Sequence, residues 1–149
     1  MIQNKRYEIS MHKNILVDLN VILDVLLERP GYRASQAVLE IQSPINYTVF
    51  VSAHVVTTFA YLLENAKVPK EEIKRNVNWL LQSFSIIATD SGILKSSLKS
   101  NIKDYEDAVV ERAALECRAS VIITRNIKDF SQSMIPAATP EKFISSSSS

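Results

Sequence analysis

Apolar runs of strand length alternate with longer segments of helical periodicity along most of the chain. The runs are rich in β-branched and aromatic residues, which is typical of buried strands, and they lie at 14–18, 47–51, 84–88 and 121–124. Helices are expected between them, two of them in succession from 53 to about 84, and the tail holds room for one more short strand and helix. Parallel strands need such crossover connections. The alternation therefore predicts an α/β fold, a three-layer α/β/α arrangement around a central parallel sheet of four to five strands.

The composition is that of an ordinary globular protein with one hydrophobic core, since 46% of the 149 residues are hydrophobic and 22% are charged. We expect one domain over 11–144, an N-terminal extension at 1–10 and a serine-rich tail at 145–149. Charges interrupt the apolar runs, and no basic stretch with an apolar core opens the chain, so neither a membrane span nor an export signal is expected. The single cysteine, Cys117, agrees with a reducing compartment, and we expect a cytoplasmic protein.

The net charge of +1 excludes a protein that holds nucleic acid by bulk electrostatics alone. Basic residues recur locally, for example Lys95, Lys99 and Lys103 at four-residue spacing on one expected helical face. The simplest interpretation of that face is a solvated helix surface. Any contact with nucleic acid must therefore be local.

Polar residues follow each expected strand at its carboxyl end. Asp18 closes the first strand, Ser52 and Asp90 follow the second and third, and Thr124 ends the fourth. Parallel sheets bind ligands beyond the carboxyl ends of their strands. This coincidence predicts a functional site at that edge of the sheet.

The first candidate group follows the first strand. Asp18 stands at the strand tip, Asn20 is expected to cap the next helix, and Asp24 lies one turn further along the same helical face. Three oxygen-bearing side chains would then point into one crevice. The alternative is that Asp18 ends a strand, Asn20 only caps and Asp24 is solvated.

Two further groups stand at the start of a late helix and after the fourth strand. Asp104 and Asp107 suit the N-cap and the first turn of that helix, where both would also favour the helix dipole. After the fourth strand, Asn126 and Asp129 follow Thr124 in a polar turn. In both groups the alternative is a helix cap and its partner, with no chemistry.

Together these segments resemble the PIN-domain family, which includes the VapC-type toxin ribonucleases, over the span from Ile15 to Phe130. The matching residues are Asp18 and Asn20, Asp24 with Arg29 and Pro30, Asp107 with Ala108, and the turn of Thr124, Asn126, Asp129 and Phe130. The resemblance implies hydrolysis of RNA phosphodiester bonds with Mg²⁺ or Mn²⁺. It also implies a small antitoxin protein as partner and a homodimer formed through helices like those at 53–84.

The resemblance also assigns roles to individual residues. Asp18 and Asp107 would be the direct metal ligands. Asn20 and Thr124 would orient ligands or waters, while Asn126 and Asp129 would complete the metal site or support it. Arg125 and Lys128 stand beside this group and are expected to contact substrate phosphate, with an exposed solubilising role as the alternative.

Two positions depart from the family pattern. Thr58 stands where the family usually has an acid in the helix after the second strand, and Asn126 stands where it usually has the acid of the last turn. A catalytically degenerate domain that binds RNA or a protein partner is therefore the alternative function. A haloacid dehalogenase-type phosphatase is disfavoured, because Asn20 cannot serve as its second, proton-transferring Asp. A lone histidine at a helix start, His54, is expected to be structural.

Overall fold

The computed structural model describes residues 12–147, and the expected N-terminal extension at 1–10 lies outside them. Five strands form one sheet in the order β3-β2-β1-β4-β5, with every neighbouring pair parallel. The strands are β1 (Lys13–Val17), β2 (Tyr47–Ser52), β3 (Ser85–Ile87), β4 (Ala119–Ile123) and β5 (Ala137–Ala138). The expected parallel α/β fold is confirmed.

Within the described residues seven helices flank the sheet, and a short 3₁₀ helix follows β4 at Ile127–Phe130. The helices are α1 (Leu19–Leu26), α2 (Tyr32–Leu39), α3 (Ala53–Asn65), α4 (Lys70–Ser83), α5 (Ser91–Ser97), α6 (Tyr105–Glu116) and α7 (Pro140–Ser147). Helices α3 and α4 pack against each other, as expected of a hairpin. Helix α7 continues to Ser147, so the serine-rich tail begins as helix. No helix within residues 12–147 is long and apolar enough to cross a bilayer.

The central strand β1 determines where the site lies. Its residues from Ile15 to Val17 are buried because β2 and β4 flank the strand and helices cover the sheet, which explains a run without polar alternation. Leu16 pairs with Phe50 of β2, and Val17 pairs with Ile123 of β4. The residues that follow these strands therefore emerge together at one edge of the sheet.

Helix α1 begins two residues earlier than the sequence suggested. Asp18, not Asn20, is the N-cap: its backbone is extended and its carboxylate accepts a hydrogen bond from Leu19 N at 2.8 Å. Asn20 instead lies in the first turn of the helix. The N-cap prediction for Asn20 is wrong because the chain turns directly from strand into helix at Asp18.

Candidate active site

Three of the expected site acids stand near one another at the carboxyl edge of the sheet. Asp18 follows β1, Asp107 lies in the first turn of α6, and Asp129 lies in the 3₁₀ helix after β4. Partial burial raises the pKa of Asp107 to about 7, and the charges of Asp104, Asp18, Asp129 and Glu106 add to that rise. The edge is therefore a cluster of carboxylates that repel one another.

Asp18 is held in a fixed orientation by its neighbours. It is only 8% exposed, and its second carboxylate oxygen accepts a hydrogen bond from Thr124 Oγ1 at 2.9 Å. Burial raises the pKa of Asp18, while the bonds from Thr124 and Leu19 act in the opposite direction. Thr124 Oγ1 also accepts a bond from Asn126 N at 3.0 Å. One buried hydroxyl thus connects the first acid to the turn after β4.

The first turn of α6 behaves as its sequence suggested. Asp104 is the N-cap, and its carboxylate accepts a hydrogen bond from Asp107 N at 3.0 Å. The Asp107 side chain is not the capping group and stays available on the site side. In the 3₁₀ turn, Asn126 makes no side-chain capping bond and is exposed, as is Asp129. The interpretation of Asn126 and Asp129 as a mere cap and partner is therefore not supported.

A pocket of about 230 Å³ opens beside Asp107 and Asp129. It is lined by Asn101, Ile102, Lys103, Asp104, Asp107, Lys128, Asp129, Ser131 and Gln132. Its two loop walls are joined by the buried Glu111, whose carboxylate accepts bonds from Ser100 Oγ at 2.7 Å and from Met134 N at 2.8 Å. The pocket thus places basic and amide side chains next to the acids.

Lys103 is a site residue that the sequence interpretation missed. The helical face expected for Lys95, Lys99 and Lys103 does not form, because α5 ends at Ser97. Lys103 instead lies in the loop before α6 and lines the pocket together with Lys128. Its position directly before the capping Asp104 is the sequence signal that could have identified it.

Arg125 and Asp24 are not brought to the pocket. Arg125 Nε donates to Asp24 at 2.8 Å, and its terminal nitrogens donate to Glu141 at 2.6 Å, Gly31 O at 3.0 Å and Ser35 Oγ at 3.1 Å. Asp24 is 4% exposed and also accepts from Ser35 Oγ at 2.8 Å. The expectation that Asp24 shares a crevice with Asp18 is wrong, because Arg125 holds Asp24 elsewhere. A phosphate at Arg125 would have to displace these partners.

Helix α3 contributes a histidine to the site region. His54 Nδ1 is 2.7 Å from Ser52 Oγ, while the His54 Nε2 atom is buried and has no hydrogen-bond partner. Burial lowers the pKa of His54, and the nearby charge of Asp18 partly offsets that effect. The Thr58 hydroxyl donates to His54 O at 3.1 Å. The position at which a family acid was expected therefore bonds back to its own helix.

The donor set suits a hard divalent cation held by few protein ligands. Within residues 12–147, no three His, Cys, Asp or Glu side chains form a group ready to enclose a metal ion. Mg²⁺ commonly binds through one or two carboxylates and completes its shell with waters and substrate phosphates. Asp18 and Asp107 provide two such carboxylates, and a cation would offset both causes of the raised pKa of Asp107, first its burial and then the charges of its acidic neighbours. The residues fit this kind of site and not an all-protein cage.

A model of the PIN domain matches residues 14–128. Since this match spans most of the chain, the protein belongs to the PIN-domain family, and the resemblance seen in the sequence is confirmed. No curated protein matches the chain.

Several solved structures share the fold. A toxin-antitoxin complex from Klebsiella pneumoniae is 25% identical with a TM-score of 0.63, and the match covers 85% of this chain and 97% of that one. VapBC2 from Rickettsia felis, bound to a promoter DNA fragment, is 21% identical with a TM-score of 0.65 and coverages of 85% and 98%. VapC20 from Mycobacterium tuberculosis, described as a sarcin-ricin loop cleaving toxin, is 11% identical with a TM-score of 0.56 and coverages of 72% and 86%.

Proposed function

We propose that the protein is a Mg²⁺- or Mn²⁺-dependent endoribonuclease and the toxin of a toxin-antitoxin pair. The observation that carries the proposal is the cluster of Asp18, Asp107 and Asp129, whose charges act on one another at the carboxyl edge of a parallel sheet. Such a cluster is unfavourable in the absence of a cation and favourable in its presence. Membership of the PIN-domain family supports the reaction class.

Asp18 and Asp107 would hold the cation, with Asp129, Asn20 and Asn126 around it. When bound, the cation lowers the pKa of water and neutralises charge that develops on the phosphate. The protein's own contribution is orientation. The bonds from Leu19 N and Thr124 Oγ1 keep the Asp18 carboxylate in one position before any ligand arrives.

Lys128 and Lys103 line the pocket beside the acids and would bind phosphates of the RNA strand that flank the cleaved bond. This keeps the expected role of Lys128 and adds Lys103 to it. Arg125 would act indirectly, because its bonds to Asp24 and Glu141 anchor the start of the turn that follows Thr124. An RNA substrate is favoured by VapC20, which shares the fold and is described as cleaving the sarcin-ricin loop.

An antitoxin partner is supported by the neighbouring structures that are toxin-antitoxin complexes. The α3–α4 hairpin would carry the homodimer contact. Its exposed apolar side chains include Tyr61 at 59% and Leu81 at 50% exposure, together with Leu62 and Trp79. These side chains have the character of an interface and not of an ordinary polar helix surface.

A second function is favoured by the two departures from the family pattern. Thr58 adds no charge and Asn126 stands where an acid was expected, so a degenerate domain that binds RNA or a protein partner without cleavage is the alternative. That domain would retain the pocket lysines and bind RNA equally well with and without a cation.

The deciding experiment is cleavage of structured and single-stranded RNAs by the purified protein in Mg²⁺, Mn²⁺ or EDTA. We expect metal-dependent cleavage that falls by more than about 100-fold in Asp18→Asn, because a ligand charge is lost at constant volume. Asp90→Asn is the matched control. Asp90 also follows a strand, but it caps α5 by accepting from Ile93 N at 2.9 Å, a bond that Asn preserves. Cation-independent RNA binding without cleavage by folded protein would establish the alternative.

A further inference from the structure

Among residues 12–147, two buried side-chain nitrogens make no hydrogen bond: Arg112 Nε, which lies 3.7 Å from the Glu111 carboxylate, and His54 Nε2, which has no charged partner of this kind. His54 Nε2 has almost no solvent contact and no hydrogen bond. A buried polar atom left without a partner disfavours the folded state, so such atoms in native proteins usually mark a bound water or ion or a functional role. The other histidine, His12, contrasts with it, since both of its ring nitrogens have partners, in Ile45 O at 3.1 Å and Thr48 Oγ1 at 2.9 Å.

The ring of His54 is fixed from its opposite side. Ser52 Oγ lies 2.7 Å from Nδ1 and 3.2 Å from Thr89 Oγ1, and Thr89 Oγ1 also accepts the backbone N–H of His54 at 3.1 Å. Ser52 ends β2 and Thr89 follows β3. These bonds hold Nδ1 and leave Nε2 free to serve another group.

The position of His54 points to the acidic edge. The pairing of Leu16 with Phe50 places Asp18, directly after β1, level with Ser52, the last residue of β2, and His54 follows Ser52 by two residues. Asp18 is close enough for its charge to act on the imidazole. In the first turns of α3, over 53–59, His54 is also the only residue with a titratable side chain, and both Thr57 and Thr58 donate to His54 O.

We propose that His54 is a positioning residue of the cation centre, whose Nε2 hydrogen-bonds to a water held by the cation. The inference rests on the proposed function for the presence of that cation. The imidazole supplies the polar group on the α3 side of the site, where no carboxylate is available. Its partner is absent from the protein itself because the partner arrives with the cation.

The test uses Mg²⁺ alone as the probe, with the imidazole ¹⁵N signals of the full-length protein as the readout. The chain has two histidines, so His12 serves as an internal reference at the opposite end of β1. We expect saturating Mg²⁺ to shift the Nε2 signal of His54 and to leave both His12 signals in place. A cation that binds in an Asp18-dependent manner while His54 Nε2 remains unchanged would overturn the inference and leave the proposed function intact.

Two substitutions separate the role of Nε2 from that of Nδ1. Glutamine places its amide near the position of Nε2, whereas asparagine reaches only the position of Nδ1 and its contact with Ser52. We expect His54→Asn and His54→Ala to weaken Mg²⁺ binding by about 10- to 100-fold in calorimetry, and His54→Gln to restore most of it. If asparagine restores binding and glutamine does not, His54 is only a structural anchor for Ser52. If the wild-type protein binds neither Mg²⁺ nor Mn²⁺, the proposed metal-dependent function is wrong, and this inference, which rests on it, is wrong too.

Discussion

Two groups of carboxylates lie on either side of the short turn after β4, and they differ in whether an arginine pairs with them. On one side, Asp24 is buried against Arg125, with Arg29 Nη1 3.9 Å away. On the other, Asp18, Asp107 and Asp129 form no ion pair with any lysine or arginine in the part of the chain described, 12–147. We refer to them as the paired group and the unpaired group. Only the unpaired group is proposed to take a cation from outside.

Two adjacent residues bond to the two groups. Thr124 bonds to Asp18 in the unpaired group, while Arg125, the next residue, bonds to Asp24 in the paired group. Successive side chains of an extended segment point to opposite sides, so neighbouring residues at a strand end can serve different regions. The paired carboxylate Asp24 is part of the folded core, whereas the unpaired ones at the sheet edge are the proposed ligands of the cation.

The largest effect on stability should come from Asp24. Asp24→Ala removes the buried acceptor of Arg125 Nε and of Ser35 Oγ, and truncating one partner of a buried ion pair typically lowers the free energy of unfolding by about 3 kcal/mol or more. Urea unfolding at neutral pH measures it as a lower midpoint with an unchanged slope. The Asp18→Asn variant should show no comparable loss, because it removes a charge that already repels its neighbours.

Asp24→Asn provides the matched control, since it keeps an oxygen acceptor at the same place. It should lower the free energy of unfolding less than Asp24→Ala does. Both Asp24 variants should bind Mg²⁺ as the wild type does while they remain folded. Loss of Mg²⁺ binding in folded Asp24→Asn would show that the paired group also belongs to the cation site. The proposed division of labour between the two groups would then be wrong.

The second prediction concerns pH and the unpaired group. The folded-state pKa of Asp107, about 7, lies above its ordinary value of 3.8, so the metal-free folded protein binds more protons than the unfolded chain between these values. The stability that protonated Asp107 contributes is therefore present below pH 4 and is lost as the pH rises through about 7. A cation reverses the trend, because it favours the ionised carboxylate.

Calorimetry at two pH values measures this coupling. We expect Mg²⁺ to bind about tenfold more tightly at pH 8 than at pH 6, because binding below the pKa must first release the Asp107 proton. In Asp107→Asn the remaining binding should be weak and nearly independent of pH over this range. Equal wild-type affinities at the two pH values would mean that no Asp107 proton is released on binding, either because Asp107 is not a ligand or because it is already ionised at pH 6.

Local patterns predicted most of the fold, whereas the grouping of Asp18, Asp107 and Asp129 came from the resemblance to the PIN-domain family. The strands, the α3–α4 hairpin and the N-cap role of Asp104 follow from periodicity and capping chemistry that act over a few residues. The assignment of Asp24 could not follow from them, because its partner Arg125 is 101 positions away in the chain. Lys103 was misplaced for a related reason: the end of α5 at Ser97 interrupts a spacing that looks continuous in the sequence.

The smallest effect on stability is expected from the exposed ion pair between Glu141 of α7 and Arg125 Nη1. Its side chain is 51% exposed, so solvent screens the pair, and Glu141→Gln should lower the free energy of unfolding by about 0.5–1 kcal/mol at most. Arg125 lowers the pKa of Glu141 below its ordinary value of 4.5, so the contribution is present above that pH and is lost as the pH falls through the lower folded-state value. Urea midpoints of the two proteins at pH 7 and pH 3 measure the difference, which should narrow at pH 3 and in high salt. If Glu141→Gln lowered the free energy of unfolding as much as Asp24→Ala, α7 would be energetically coupled to the buried pair of Arg125 and Asp24. Solvent exposure would then not explain why one partner of Arg125 contributes more than the other.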